Sequence, residues 1–318
     1  MTNRDPTKRG GRWKGLCAAV IPKVIAAVIA AVILWAGHKA WQWLQDVPGK
    51  GTQIVRTDVG GRKDVFLPRH SMVTLNTKTD VAVDVRNFSR TVWLNSGEAL
   101  FNVNRDLLRG HLLVCVGRIS VTDLATSFAI RREGRSVFIT VAEGQVDVRG
   151  GQMADERCAR GWGTTTDEAG FAELEQPESH ASVSFSLNAG NRATLTVDER
   201  DIHQHVDPMS PKQIAEALAW RQGRVVLDGD IQPGLAEISR YLPQRLVAST
   251  SAEKMRLRVT LEPKSEQAVL KALRELHGLV PVPTPTDGDP EALYLGTPAE
   301  KRARKSEVSA RGHSDAAQ

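Results

Sequence analysis

The chain has few of the features that announce chemistry. Its three cysteines show no C-x-x-C spacing and no Cys/His metal spacing, which excludes a cysteine-based metal or redox motif. There is no G-x-S-x-G elbow, no H-E-x-x-H pair, no Walker A loop and no G-x-G-x-x-G following a strand. The expectation is therefore a protein that is not an enzyme, with no catalytic residues, no cofactor and no metal. A basic body is lacking too. Residues 1–14 carry a local +4 and residues 301–318 a local +3, so the net +5 leaves −2 for everything between. A charge balance of that kind argues against nucleic acid as a partner.

One long apolar run is present, from Leu16 to Trp35, interrupted only by Pro22 and Lys23. At about 1.5 Å per residue it covers the roughly 30 Å hydrocarbon core. Arg4, Lys8, Arg9, Arg12 and Lys14 precede it, and Trp35, Trp41 and Trp43 follow as an interfacial belt. The positive-inside rule then keeps 1–15 cytoplasmic, makes 16–36 a transmembrane helix in the inner membrane lipid, and exports the rest to the periplasm. The alternative is a cleaved signal peptide, disfavoured because no clean A-x-A site follows Ala31. Cys17 falls in the span. Cys115 and Cys158 then lie in an oxidising compartment, where they could pair; the preferred expectation is a strand-core thiol and a separate loop thiol.

After a linker at Asp46–Gly51, residues 51–150 read as closely spaced short strands. Val81, Val83 and Val85 alternate with Ala82 and Asp84, and further strands are expected around 92–94, 101–103, 112–116, 119–121, 128–130, 137–141 and 146–148. Ser96-Gly97, Glu133-Gly134 and Glu143-Gly144 separate several of them, and no ten-residue amphipathic helix fits. An all-β domain follows, sandwich-like or a short β-solenoid. Residues 151–219 look like an irregular surface connection with one short helix, N-capped by Ser210 with Pro211 in the first helical position. Residues 220–296 alternate strand, helix, strand twice, with a short closing strand at 292–295. Leu235, Ile238, Tyr241 and Leu242 make one helical face and Val269, Leu270, Leu273 and Leu276 another, both read as core. The stretch 297–318 reads as a disordered tail.

Several short motifs, in order across more than half the chain, resemble the FecR family of periplasmic signalling proteins. They are Val65–Pro68 with Ser71–Asn76, then Arg90-Thr91-Val92-Trp93-Leu94 and Gly97-Glu98-Ala99-Leu100-Phe101. Ser127–Ile130 around Phe128, Val141-Ala142-Glu143-Gly144, Leu187–Asn191, Trp220-Arg221-x-Gly223 and Arg240-Tyr241 continue the series. Physically these are fold-signature positions. Gly97 and Gly144 suit positive φ, and Glu98 and Glu143 are placed to accept hydrogen bonds from turn amides. Arg69-His70 stands where the family has Asp-Gly, a poor pair for a type I′ turn. The two β-α-β units resemble the small STN-type module of secretins and TonB-dependent receptors.

The resemblance implies a transmembrane relay coupling an outer-membrane TonB-dependent receptor to cytoplasmic sigma-factor regulation, with iron uptake as the usual theme. The receptor's signalling domain is the implied partner, docking on an exposed edge near the last short strand. About fifteen residues precede the span, too few for the family's sigma-binding segment, so direct sigma-factor binding is disfavoured. An alternative is a periplasmic interaction scaffold without sigma-factor regulation. The remaining enzymatic candidate is Asp201, His203, His205 and Asp207, whose alternation places two histidines on one face but supplies no third zinc ligand.

Overall fold

The structure, a computed structural model, describes residues 52–67, 71–84, 90–104, 111–123, 126–159, 182–198, 201–285 and 288–304. The expected cytoplasmic stub, span and linker and the Arg69-His70 turn lie outside the described residues. Among the described residues no helix is long and apolar enough to cross a membrane.

Thirteen strands form one branched hydrogen-bonded network. In chain order these are β1 Thr52–Arg56, β2 Lys63–Leu67, β3 Ser71–Leu75, β4 Asp80–Asp84 and β5 Arg90–Asn102. They continue with β6 Leu112–Val116, β7 Ile119–Asp123, β8 Ser127–Glu133, β9 Ser136–Glu143 and β10 Gln145–Gly151. The last three are β11 Ser182–Asn188, β12 Asn191–Val197 and β13 Ile202–Pro208. β5 is the branch point: its first half pairs with β4 and β6, its second half with β3 and β8. One layer therefore runs β1-β4-β5-β6-β7-β10-β11 and the other β2-β3-β5-β8-β9-β12-β13. Of the two architectures expected, the sandwich-like one is present.

The switch between layers occurs at Gly97. Its φ is +87°, and a Cβ there would stand 2.4 Å from Thr79 Oγ1 and 2.5 Å from Thr79 Cα. The strands expected at 92–94 and 101–103, with a Ser96-Gly97 turn between them, are thus one bent strand. Glycine serves there as a bend inside the ladder, not a chain reversal.

A single apolar cluster fills the space between the layers, with Val81, Val92 and Val114 from one and Leu75, Phe101, Phe128 and Ile139 from the other. Phe101 and Phe128 are cross-strand partners, fully buried, with ring centroids 4.9 Å apart. Alternate residues of the same strands face outward: Leu100 and Ala129 pack into a second core formed with the C-terminal module.

Two expectations need correction. Residues 151–219 are not chiefly an irregular connection: β11 extends one layer from β10, while β12 and β13 extend the other from β9, and Ser182–Asn188 alternates polar residues with Val183, Phe185 and Leu187 as a half-buried strand does. Cys115 and Cys158 are not separate thiols but a disulfide, with Cα atoms 5.1 Å apart. β6 is buried at all five positions, so it needs cover on both faces. The outward face of Leu113 and Cys115 is covered by Cys158, carried on the short helix α1, Glu156–Ala159, beside Trp93.

Ahead of the C-terminal module stands α2, Pro211–Ala217, N-capped by Ser210 as expected, and Gln213 completes a reciprocal box with that cap. A 3-10 turn, Ala219–Gln222, leads to β14 Val225–Asp230, α3 Ile231–Ser239 and β15 Arg245–Ala248. β16 Arg256–Leu261, α4 Glu266–His277, β17 Val280–Pro281 and β18 Ala292–Gly296 follow. Both strand-helix-strand units occur, but each divides its strands between two small sheets. β14 pairs with β16, while β18 lies between β15 and β17. Leu235, Ile238, Tyr241, Leu242, Val269 and Leu273 are core, whereas Leu276 is exposed.

The stretch 297–318 is not wholly a tail. Residues 298–304 are helical, and the Glu300 carboxylate accepts hydrogen bonds from Ser249, Ser251 and Arg304. The i,i+4 Glu300–Arg304 pair supports that helix.

Candidate functional site

The second core has a polar rim where the end of α3 meets β5 and the β3–β4 turn. Asn76 directly follows β3, Glu98 follows the Gly97 bend, and Arg240 and Tyr241 follow α3. Glu98 Oε2 accepts from Arg240 Nη2 at 2.7 Å and from Asn76 Nδ2 at 2.8 Å. The second Asn76 Nδ2 hydrogen goes to the Tyr241 hydroxyl at 2.8 Å. Arg240 Nη1 donates to Glu237 at 2.6 Å, and Glu237 accepts a second bond, also 2.6 Å, from Arg131 on β8. A continuous chain of charge-assisted bonds thus ties two strands of the sandwich to one helix of the module.

The backbone end of α3 is held by the same turn. Thr77 Oγ1 donates to the Arg240 carbonyl at 3.1 Å, and Lys78 Nζ donates to the Leu242 carbonyl at 3.3 Å. These carbonyls lie at and just past the C-cap of α3, where a lysine also matches the negative end of the dipole. Arg62 adds bonds to the carbonyls of Trp220 at 3.1 Å and Arg221 at 2.6 Å.

Burial sets the electrostatics. It raises the Tyr241 phenol well above its usual range, helped by the Glu98 charge. Burial alone would lower Arg240, but Glu98 and Glu237 outweigh it and the net shift is upward. Arg192, on β12 nearby, is lowered by burial and by the Arg131 charge.

The structure brings three of the sequence-selected residues together here: Glu98, Arg240 and Tyr241. Glu98 was expected to accept from exposed turn amides; it is buried instead and accepts from Arg240 and Asn76. Gly97 sits beside it, while Phe101 and Phe128 lie beneath in the first core. Trp220 is buried in the second core, and Gly223 closes the 3-10 turn with φ 77°. Gly144 takes positive φ between β9 and β10, with Glu143 exposed and away from the joint. Sequence reasoning missed Asn76, Glu237 and Arg131 as partners.

His203 and His205 stand on the exposed outer strand β13. His205 Nε2 is 2.9 Å from Asp207 Oδ1 and His203 Nε2 is 3.7 Å from Asp198 Oδ2. No group of three or more metal-binding side chains occurs among the described residues. β18, the expected docking edge, is flanked by β15 along Ala292–Leu295 and by β17 at Leu295 and Gly296.

Beside the joint, a cleft of about 450 Å³ separates β14 from the outer face of β8, β9 and β12.

Residues 53–147 match the family described as FecR protein, and this stretch is a FecR domain. Two crystal structures from Parabacteroides distasonis ATCC 8503, each of a protein provisionally designated an anti-sigma factor, share the fold. Each is 20% identical and covers 77% of this chain and 99% of its own, with TM-scores of 0.51 and 0.52. The likeness therefore extends past the FecR stretch and is one of fold. No curated protein matches the chain.

Proposed function

We propose that the protein is a signal relay anchored in the inner membrane by residues 16–36, with everything after Gly51 in the periplasm. In this reading 220–296 acts as an STN-like module that binds the signalling domain of a TonB-dependent outer-membrane receptor. The FecR domain passes the receptor's state toward cytoplasmic sigma-factor regulation, in the setting of iron uptake. Protein–protein contact, and no bond-making step, carries the signal.

The observation that carries the proposal is the buried joint beside a FecR domain. Leu100 and Ala129 of the sandwich share a core with the module, and Glu98 is ion-paired to Arg240. A partner that displaces the module must therefore displace β5, so the two parts respond together. The fold shared with the Parabacteroides distasonis proteins supports a regulatory role of the same broad kind.

The test has two arms. A phosphatase reporter fused after Arg149 is active and a cytoplasm-only reporter there is silent; the reverse pair of results overturns the orientation. Residues 51–318 are titrated against the signalling domains of the TonB-dependent receptors of the same organism. Failure to bind at hundred-micromolar concentrations, with both partners folded, rejects receptor coupling and leaves a periplasmic scaffold.

A further inference from the structure

β1 and β2 end the two layers of the sandwich on the side of β5 away from β6 and β8. Each pairs with one strand, β4 and β3 respectively, and with no other among the described residues. The two ends of these strands differ. At one end the β3–β4 and β1–β2 turns lie against the C-terminal module, through Thr77 and Lys78 on the carbonyls after α3 and Arg62 on those of Trp220 and Arg221. The other end, where Thr52 faces Asp84 and Leu67 faces Ser71, is a strand length away, about 15 Å for the five residues of β3. The chain enters the sandwich at that far end, at Thr52.

Two apolar side chains are left outside there. Val55, Val65 and Leu67 pack on the first core, so Ile54 and Phe66 point outward, from opposite layers. Ile54 is 47% exposed and Phe66 72%. Met72, the cross-strand partner of Phe66, is itself only half-buried, so the apolar surface extends beyond one ring. Of the described phenylalanines, Phe101 and Phe128 are buried, Phe138 and Phe185 half-buried, and Phe66 alone is exposed. One exposed apolar side chain is ordinary on any surface. Two that straddle the open edge of a sandwich, on the strands where the chain enters, give that edge a direction.

The chain ahead of Thr52 states what lies near. In the anchored reading Trp43 belongs to the interfacial belt, and the nine residue steps from Trp43 to Thr52 reach at most about 32 Å when fully extended. The far end of the sandwich is thereby kept close to the bilayer. A tether that short gives a high effective concentration, so a contact too weak to recruit a free protein suffices here. Charge plays little part: Lys63 and Asp64 on β2 cancel, and Arg56 on β1 is paired with Asp80.

We propose that the open edge formed by β1 and β2 rests on the bilayer surface, with Phe66 and Ile54 seated at the boundary between headgroups and acyl chains. The inference rests on the anchored reading above and adds how the periplasmic part is held against the membrane. The turns that carry the joint then stand at the opposite end of the same strands, a strand length further from the lipid, and present the module to the periplasm.

The experiment reconstitutes the full chain in nanodiscs of phosphatidylethanolamine and phosphatidylglycerol. The photoreactive residue p-benzoyl-phenylalanine replaces Phe66, Ile54 or, as control, Leu276, which is exposed on α4 of the module. Irradiation followed by mass spectrometry reads the adducts. Lipid adducts are expected at 66 and at 54, with none at 276. Their absence at either position, an equal yield at 276, or adducts joining 66 to a second copy of the chain overturns the proposal while the anchor stands. Should one labelled chain misfold, the other position decides the outcome alone. A full chain that is recovered free of lipid overturns both readings.

Discussion

Glu98 and Arg240 lie 142 residues apart and meet through a 2.7 Å hydrogen bond between Oε2 and Nη2. Their side chains are 9% and 15% exposed, so neither charge is comfortable without the other. Arg240→Ala leaves a buried carboxylate uncompensated and should cost about 3–5 kcal/mol. Urea unfolding measures it, and a double-mutant cycle with Glu98→Gln separates the pair from Arg240's bond to Glu237. A loss below about 1 kcal/mol would place the pair with surface ion pairs and reject the joint.

Phe101→Ala tests the first core. Phe101 is fully buried and stacked on Phe128, so truncation should cost about 3–5 kcal/mol. Denaturant midpoints at unchanged slope provide the number, and a change under about 1 kcal/mol contradicts the packing.

The disulfide closes a sequence separation of 43 residues. Cys115→Ala with Cys158→Ala should lower stability by about 2–4 kcal/mol. Peptide mapping of the non-reduced protein should recover the two cysteines in one linked fragment; recovery of both as free thiols from protein prepared without reductant would contradict the pairing.

Tyr241 gives a pH dependence. Its folded-state pKa is raised above the usual value of 10.0, so its contribution is complete below about pH 10 and is lost as pH rises through the folded value. Melting temperature should fall above pH 10 more steeply in the wild type than in Tyr241→Phe. Parallel curves for the two proteins would show that the phenol does not carry the dependence.

Much of the fold was legible because it is set locally. Period-two alternation located β4, β9 and β10, and apolar spacing located α3 and α4, since a segment must bury its own stripe whatever it packs on. Ser210 and Pro211 set the start of α2 through bonds within four residues. β11 to β13 were less visible: Val183, Phe185 and Leu187 do alternate, but β12 mixes polar and apolar residues and β13 is exposed at every position after Ile202. The Cys115–Cys158 link was hidden for a different reason. The unbroken run Leu112–Val116 does say that both faces of β6 need cover, but not which later segment provides it.

The sequence by itself determined the class of structure, the positions of most strands and helices, the FecR likeness, and the identity of Gly97, Glu98, Arg240 and Tyr241 as notable residues. Only the tertiary structure decided that the last three form one buried chain with Asn76, that β18 lies between β15 and β17, and that β1 and β2 end the two layers. The physical reason is distance along the chain. Alternation and capping are short-range and leave a periodic trace. The partner of a buried charge, or of a strand edge, is fixed by how whole layers stack, and one residue type at one position carries no record of that.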